Sequence, residues 1–120
     1  MTYVHSFCIV VVVKRNRDFI YLDTFVWDTE KNEMNKRKHH ISFELAIRVF
    51  NDPLLLTKAD LNHSLQDETR WNNLGLLNGN IILFVVHTEQ NGLTRIISAR
   101  KATKKEVKDY ETNAKRIQNY

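Results

Sequence analysis

Two Asn-Gly pairs, Asn78-Gly79 and Asn91-Gly92, divide the second half of this chain into three apolar runs. Asn-Gly is the strongest short signal for a two-residue type I′ hairpin, because both central residues need a positive φ. The runs are therefore expected to be neighbouring antiparallel strands, about Arg70–Leu77, Asn80–Gln90 and Leu93–Arg100. If both loops hold two residues, Arg70 faces His87, Asn72 faces Val85 and Leu74 faces Leu83. On the other side His87 faces Ile96, Val85 faces Ser98 and Leu83 faces Arg100. Alternation then gathers Arg70, Asn72, Leu74, Leu83, Val85, His87, Ile96, Ser98 and Arg100 on one face. Trp71, Asn73, Ile82, Phe84, Val86, Ile97 and Ala99 fall on the other, the expected core face, with Thr88 and Arg95 near one end. A slip of one residue would exchange a strand's faces, so this pairing is a sharp expectation.

Upstream, Asp28 to Pro53 reads as two short helices laid end to end. In the second, Phe43, Ala46, Ile47 and Phe50 share one face of a 3.6-residue period and should pack on the sheet. Ser42 can cap it, because its hydroxyl accepts from an orphan backbone N–H. Asp52-Pro53 ends it, since the residue before proline leaves the α region. Glu44 and Arg48 are spaced for an i, i+4 ion pair. The first helix, Asp28 to His39, has only Met34 to bury. A helix that polar suits a surface facing an anionic partner. Further on, Thr103–Gln118 reads as a C-terminal helix with a Thr103/Glu106 capping box and a basic surface.

The formal net charge is +4. Residues 1–60 carry 9 Lys/Arg against 8 Asp/Glu, and residues 61–120 carry 9 against 6, so the excess sits in the second half. A basic balance suits RNA or an acidic protein partner. The single cysteine, Cys8, excludes an internal disulfide and any cysteine metal cluster, and it fits a reducing cytoplasm. The five histidines show no compact ligand spacing, and no phosphate loop or nucleotide fingerprint occurs, so no metal and no cofactor are expected. The apolar run Phe7–Val13 is too short to span a bilayer, which needs ~20 residues, and no membrane role is expected. Its β-branched content reads as a buried strand, Tyr3–Val13, forming a hairpin with Phe19–Val26 through a turn at Lys14–Asp18.

The residues already named carry a resemblance. Trp27-Asp28, Lys31-Asn32, Asn35, Lys38-His39, Ile41-Ser42-Phe43-Glu44, Ala46, Val49-Phe50 and Asp52-Pro53 are followed by His63-Ser64, Asp67-Glu68, Arg70-Trp71 and Gly75. Then come Thr88-Glu89, Arg95-Ile96-Ile97-Ser98-Ala99-Arg100, Ala102, Glu106 and Tyr110-Glu111. This ordered set, from about Phe25 to Glu111, resembles the BrnT family, small ribonuclease toxins of bacterial type II toxin–antitoxin systems. His40 departs from the glycine the family prefers there. The resemblance implies an α+β, RelE-like fold, with N-terminal helices on a mainly antiparallel sheet and a C-terminal helix. It also divides the chain into an extension, 1–24, carrying an extra strand or hairpin or arising from an upstream start codon, and a toxin domain, 25–120.

The implied activity is metal-independent cleavage of mRNA, free or at the ribosome, which stops translation. The implied partners are a BrnA-type antitoxin and, through it alone, operator DNA. Such cleavage needs a base for the 2′-OH, an acid for the leaving 5′-oxygen and cations for the crowded phosphorane. Arg70 beside His87, with Arg100 two rows away, is the expected catalytic patch, since an arginine fork can engage two phosphate oxygens. Lys38 and His39 border it by family resemblance, although cations at a helix C-terminus also serve the helix dipole alone. Arg95, Lys101 and Lys104 are expected to bind RNA. An acidic, apolar antitoxin segment would cover Arg70, Arg100, Lys101 and Lys104 beside the C-terminal helix. The competing reading is a non-catalytic module of the same fold that acts through complexes with antitoxin and DNA.

Overall fold

The computed structural model of the chain describes residues 7–16, 19–65 and 67–119. It is an α+β domain: β1 (Phe7–Asn16), β2 (Phe19–Asp28), α1 (Thr29–His39), α2 (Phe43–Ala46), a 3₁₀ turn (Ile47–Asn51), β3 (Leu56–Leu65), β4 (Glu68–Leu77), β5 (Ile81–Gln90), β6 (Leu93–Lys101) and α3 (Lys104–Gln118). One sheet runs in the order β1-β2-β6-β5-β4-β3. All neighbours are antiparallel except β2 and β6, which run parallel and pair at Phe25–Thr94 and Val26–Arg95. The N-terminal hairpin is present as β1 and β2. The expected start at Tyr3 and the turn residues Arg17 and Asp18 lie outside the described residues, while residues 14–16, expected in the turn, continue β1 in pairing with β2.

The second Asn-Gly loop is the two-residue turn expected, with Gln90 facing Leu93 and positive φ at Asn91 and Gly92. The first is not. Asn78 and Gly79 take positive φ, but Asn80 joins the loop and Leu77 pairs with Ile81. That third loop residue shifts β5 by one: Arg70 faces Thr88, Trp71 faces His87, and Leu74 faces Phe84. The expected Arg70–His87 neighbourhood is therefore overturned. The reason lies in β5 itself, where Ile81 to Val86 are apolar at every position. With hydrophobic side chains on both faces, alternation carries no face signal, and loop length decides the register.

A second irregularity follows in β6. His87 faces Ile96 but Val86 faces Ser98, so Ile97 is a β-bulge. The core face now reads Asn73, Leu77, Leu83, Val85, Ile96 and Ala99, joined by Phe25, Trp27, Ile41, Phe43, Ala46 and Val49. The outer face carries the rows Arg70–Thr88–Arg95, Asn72–Val86–Ser98 and Leu74–Phe84–Arg100.

The amphipathic helix is shorter than its pattern suggested. One α turn passes into a 3₁₀ turn at Ile47, and the fully buried residues are Phe43, Ala46 and Val49, at i, i+3 and i+6. Three residues per turn align those positions, and Ile47 and Phe50 move to the margin. Val49 sits so close to β4 that a Cβ on Gly75 would lie 2.7 Å from Val49 Cβ and 2.8 Å from Leu55 Cδ1. Gly75→Ala should therefore cost about 1–3 kcal/mol by overpacking, read as a lower urea midpoint at unchanged slope. An unchanged midpoint would mean that the 3₁₀ turn yields freely.

β3 was not legible in the sequence. Its run, LTKADLNHSL, has mostly exposed side chains and no alternation, as suits an edge strand held by β4 alone. Asp52 ties the far side together. Its Oδ1 accepts from Leu54 N–H at 2.9 Å, and its Oδ2 accepts from Leu76 N–H at 2.8 Å and from the Tyr110 hydroxyl at 2.5 Å. Burial, then that carboxylate, pushes the Tyr110 hydroxyl well above the ordinary phenol range. α3 thus docks through Tyr110 and Ala114, with the expected capping box formed. No helix among the described residues is long and apolar enough to cross a membrane.

Candidate functional site

The polar helix α1 does not bury its methionine. Met34 is exposed, and the buried residues are Asn32 and Asn35. Each replaces missing backbone. Where β2 turns into α1, β6 loses its strand neighbour, and Asn35 takes that place. Its Nδ2 donates to Ala99 C=O at 2.9 Å and to Ile41 C=O at 2.8 Å, while its Oδ1 accepts from Ala99 N–H at 3.2 Å. Asn32 Oδ1 accepts from Phe43 N–H at 2.8 Å, and its Nδ2 donates to Glu44. Glu44 is thus engaged by Asn32 rather than by an ion pair to Arg48. The helix starts on Asp28, whose Oδ1 accepts from Glu30 N–H at 2.8 Å.

These clamps hold α1 against β6 and leave a groove between them, about 480 Å³ in volume. Lys31, Met34, Asn35 and Lys38, at i, i+3, i+4 and i+7, line one wall, with Arg37 and His39 beside them. Ile97 and Ser98 line the other. Strict alternation would put those two on opposite faces. The bulge turns both toward the groove.

His39 ends α1 half-buried, and His40 closes the helix in the left-handed region with φ 61°. That is the conformation glycine adopts without cost, so the histidine carries a modest backbone strain. Burial, with the charges of Lys38 and Arg100, holds the His39 imidazole below its ordinary range. The same surroundings disfavour the imidazolium form beside those cations. Of the α1 cations, Lys36 is paired with Glu33 at 2.6 Å. Lys31, Arg37 and Lys38 are exposed on the groove.

The structure brings together Lys38 and His39, with Arg100 near enough to act on the imidazole. It does not leave Arg100 free. The guanidinium donates to both Glu106 oxygens, at 2.7 and 3.1 Å, and lies 4.1 Å from the Phe84 ring centroid. This pairing, above all, holds the Glu106 carboxyl below its usual range. Arg70 and Arg95 flank Thr88 two rows away on the same outer face, and Arg95 lies over Phe7 at 5.8 Å. Thr88 Oγ1 and Asn72 Oδ1 in these rows are buried without a hydrogen-bond partner. Lys101 takes the core-face parity, and Lys104 is exposed at the first turn of α3. His87 lies on the core face, 5% exposed, away from Arg70 and Arg100. Sequence reading missed Lys31 and Arg37, and it put Ile97 on the opposite face; Ser98 stands on the face shared with Arg70 and Arg100, as expected. The 31/34/35/38 stripe was a usable signal for the first; the bulge that brings Ile97 to the groove beside Ser98 had none.

The description "ribonuclease toxin, BrnT, of type II toxin–antitoxin system" belongs to a family whose profile matches residues 27–106. The crystal structure of the ribonuclease toxin BrnT of Brucella abortus is similar at 28% identity, covering 65% of this chain and 94% of that one, with a TM-score of 0.49. No curated protein matches the sequence. The family match spans two thirds of the chain and holds α1, the bulged strand and the groove between them. The chain belongs to the BrnT family of ribonuclease toxins of type II toxin–antitoxin systems.

Proposed function

We propose that this chain is a metal-independent endoribonuclease that stops translation by cutting mRNA, built on the RelE-like plan. A BrnA-type antitoxin keeps it inactive in the cytoplasm, and operator DNA is reached only through that antitoxin. The observation that carries this reading is the half-buried His39, its pKa held below the ordinary range, set among Lys38, Arg37 and Lys31 along the groove. His39 takes the 2′-OH proton, the 2′-oxygen bonds to phosphorus, and the bond to the 5′-oxygen breaks. The Lys38 ammonium protonates that leaving oxygen, while Lys31 and Arg37 balance the phosphorane charge. Arg70 and Arg95 extend the basic surface, and Arg100 acts as a positioning residue through its electrostatic hold on His39. Residues 1–24 are an extension built onto the toxin domain of 25–120; the family match beginning at Trp27 supports that division.

Purified protein should cut RNA in EDTA and leave 2′,3′-cyclic phosphate or 3′-phosphate ends. Activity that vanishes in EDTA and returns with magnesium would overturn this mechanism. One observation favours the non-catalytic reading: Arg100 is occupied by Glu106 and His87 faces away, which removes two groups from the expected patch. Induction without the antitoxin separates the two readings. Growth arrest that Lys38→Ala or His39→Ala relieves supports cleavage; arrest that both variants retain supports the module.

A further inference from the structure

On the core face a second pocket, about 370 Å³, opens between the 3₁₀ turn and the strands, lined by Phe25, Phe50, Trp71, Asn73, His87 and Glu89 among others. Its hydrogen bonds fix the state of His87. Thr57 Oγ1 donates to Asn73 Oδ1 at 2.7 Å, and Asn73 Nδ2 donates to Val85 C=O at 3.0 Å. Turning Asn73 over would set its Oδ1 against the Val85 carbonyl, which can only accept. Its second amide proton therefore meets His87 Nδ1 at 2.7 Å, so Nδ1 must accept and Nε2 must carry the ring proton. Burial disfavours the imidazolium too, outweighing the attraction of Glu89. Nε2–H lies 3.6 Å from the Glu89 carboxylate, whose side chain is 67% exposed.

The pocket thus offers aromatic walls, one neutral N–H donor and one ionised acceptor. Its carboxylate repels phosphate, so the ligand is a base rather than a backbone. Every base has a π-face for Trp71 and Phe50. Only guanine presents two adjacent N–H groups to a carboxylate with an acceptor, O6, beside them. We propose that this pocket binds a guanine base of single-stranded RNA, with Glu89 accepting from N1–H and N2–H and His87 Nε2–H donating to O6. This rests on the RNA-cleaving reading and adds a base preference to it, at a place separate from the α1–β6 groove.

The test titrates guanosine, adenosine, cytidine and uridine into the intact protein and follows tryptophan fluorescence, to which Trp71 in the pocket responds while Trp27 is fully buried. Guanosine should bind about tenfold more tightly than the others. Glu89→Gln, at an exposed position, should remove most of that preference without unfolding the protein, and Trp71→Phe should retain the preference while losing the signal at position 71, checked by calorimetry. Equal binding of all four nucleosides, or a guanosine preference untouched by Glu89→Gln, overturns the proposal. RNA cut with no bias for guanosine-containing sites would sink the pocket and leave the ribonuclease reading intact. Guanosine binding by a protein that cuts no RNA would do the reverse.

Discussion

Asn35→Ala should cost about 3–5 kcal/mol of stability, a large part of the ~5–15 kcal/mol that holds a domain of this size. The side chain makes three hydrogen bonds to backbone, all buried. Removing it leaves the N–H and C=O of Ala99 and the C=O of Ile41 without partners, at about 1–3 kcal/mol each, reduced where the chain relaxes. Asn35→Asp should be at least as harmful, because a carboxylate there has no proton for the two carbonyls it would face. Met34→Ala is the control: one residue away and 54% exposed, it should shift stability by less than about 0.5 kcal/mol. Urea unfolding of the three variants decides the matter. An Asn35→Ala protein as stable as the Met34→Ala protein would mean that water substitutes for the amide and that α1 is not clamped to β6.

The second large effect is on chemistry. His39→Ala should lower the cleavage rate by about 10²–10⁴-fold, the span a positioned general base supplies. It should leave stability nearly unchanged, because the ring is half-exposed at a helix end. The pH profile adds a sharper signature. Burial, with Lys38, Arg100 and His40, lowers the His39 pKa, so the base remains unprotonated below the ordinary histidine value of about 6.5. Activity should hold from neutral pH down past that value and fall only as the folded-state pKa is crossed. His39→Ala should abolish that acid limb. A limb that survives the substitution belongs to another group and removes His39 from the reaction. The stability sign is set by the same shift. Between the lowered folded pKa and the unfolded value, the unfolded chain binds more protons, so His39 makes stability rise with pH across that window. His87 is shifted in the same direction by its burial and adds to the rise.

Arg100 illustrates how a correct sequence signal can carry an incomplete role. It was legible as one member of an ordered Arg-Ile-Ile-Ser-Ala-Arg run, and it does share the outer face with Arg70. What the run could not reveal is that the capping-box residue of the next helix reaches back. Glu106 closes α3 at Thr103 N–H, 2.8 Å away, and grips Arg100 with the same carboxylate. The capping box was readable from spacing alone. Its second partner depended on where β6 ends relative to α3.

Sequence by itself determined the elements whose causes are local. The positive-φ demand of Asn91-Gly92, the Ser42 and Thr103 caps and the Asp52-Pro53 stop each act within four residues, and each stands where it was expected. The family was also readable there, because its residues keep their order along the chain. Only the tertiary structure decided which face His87 occupies, since a strand apolar on both sides fits either register and a third loop residue at Asn80 settled it. Only it gave Asn32 and Asn35 their purpose: a buried amide is stable solely where another segment brings backbone groups to meet it, and Ala99 comes from 64 residues away. The same physics built the groove. Lys38 and His39 were visible as residues, but the bulge that brings Ile97 to the groove beside Ser98 arises from strand pairing, which no local preference encodes.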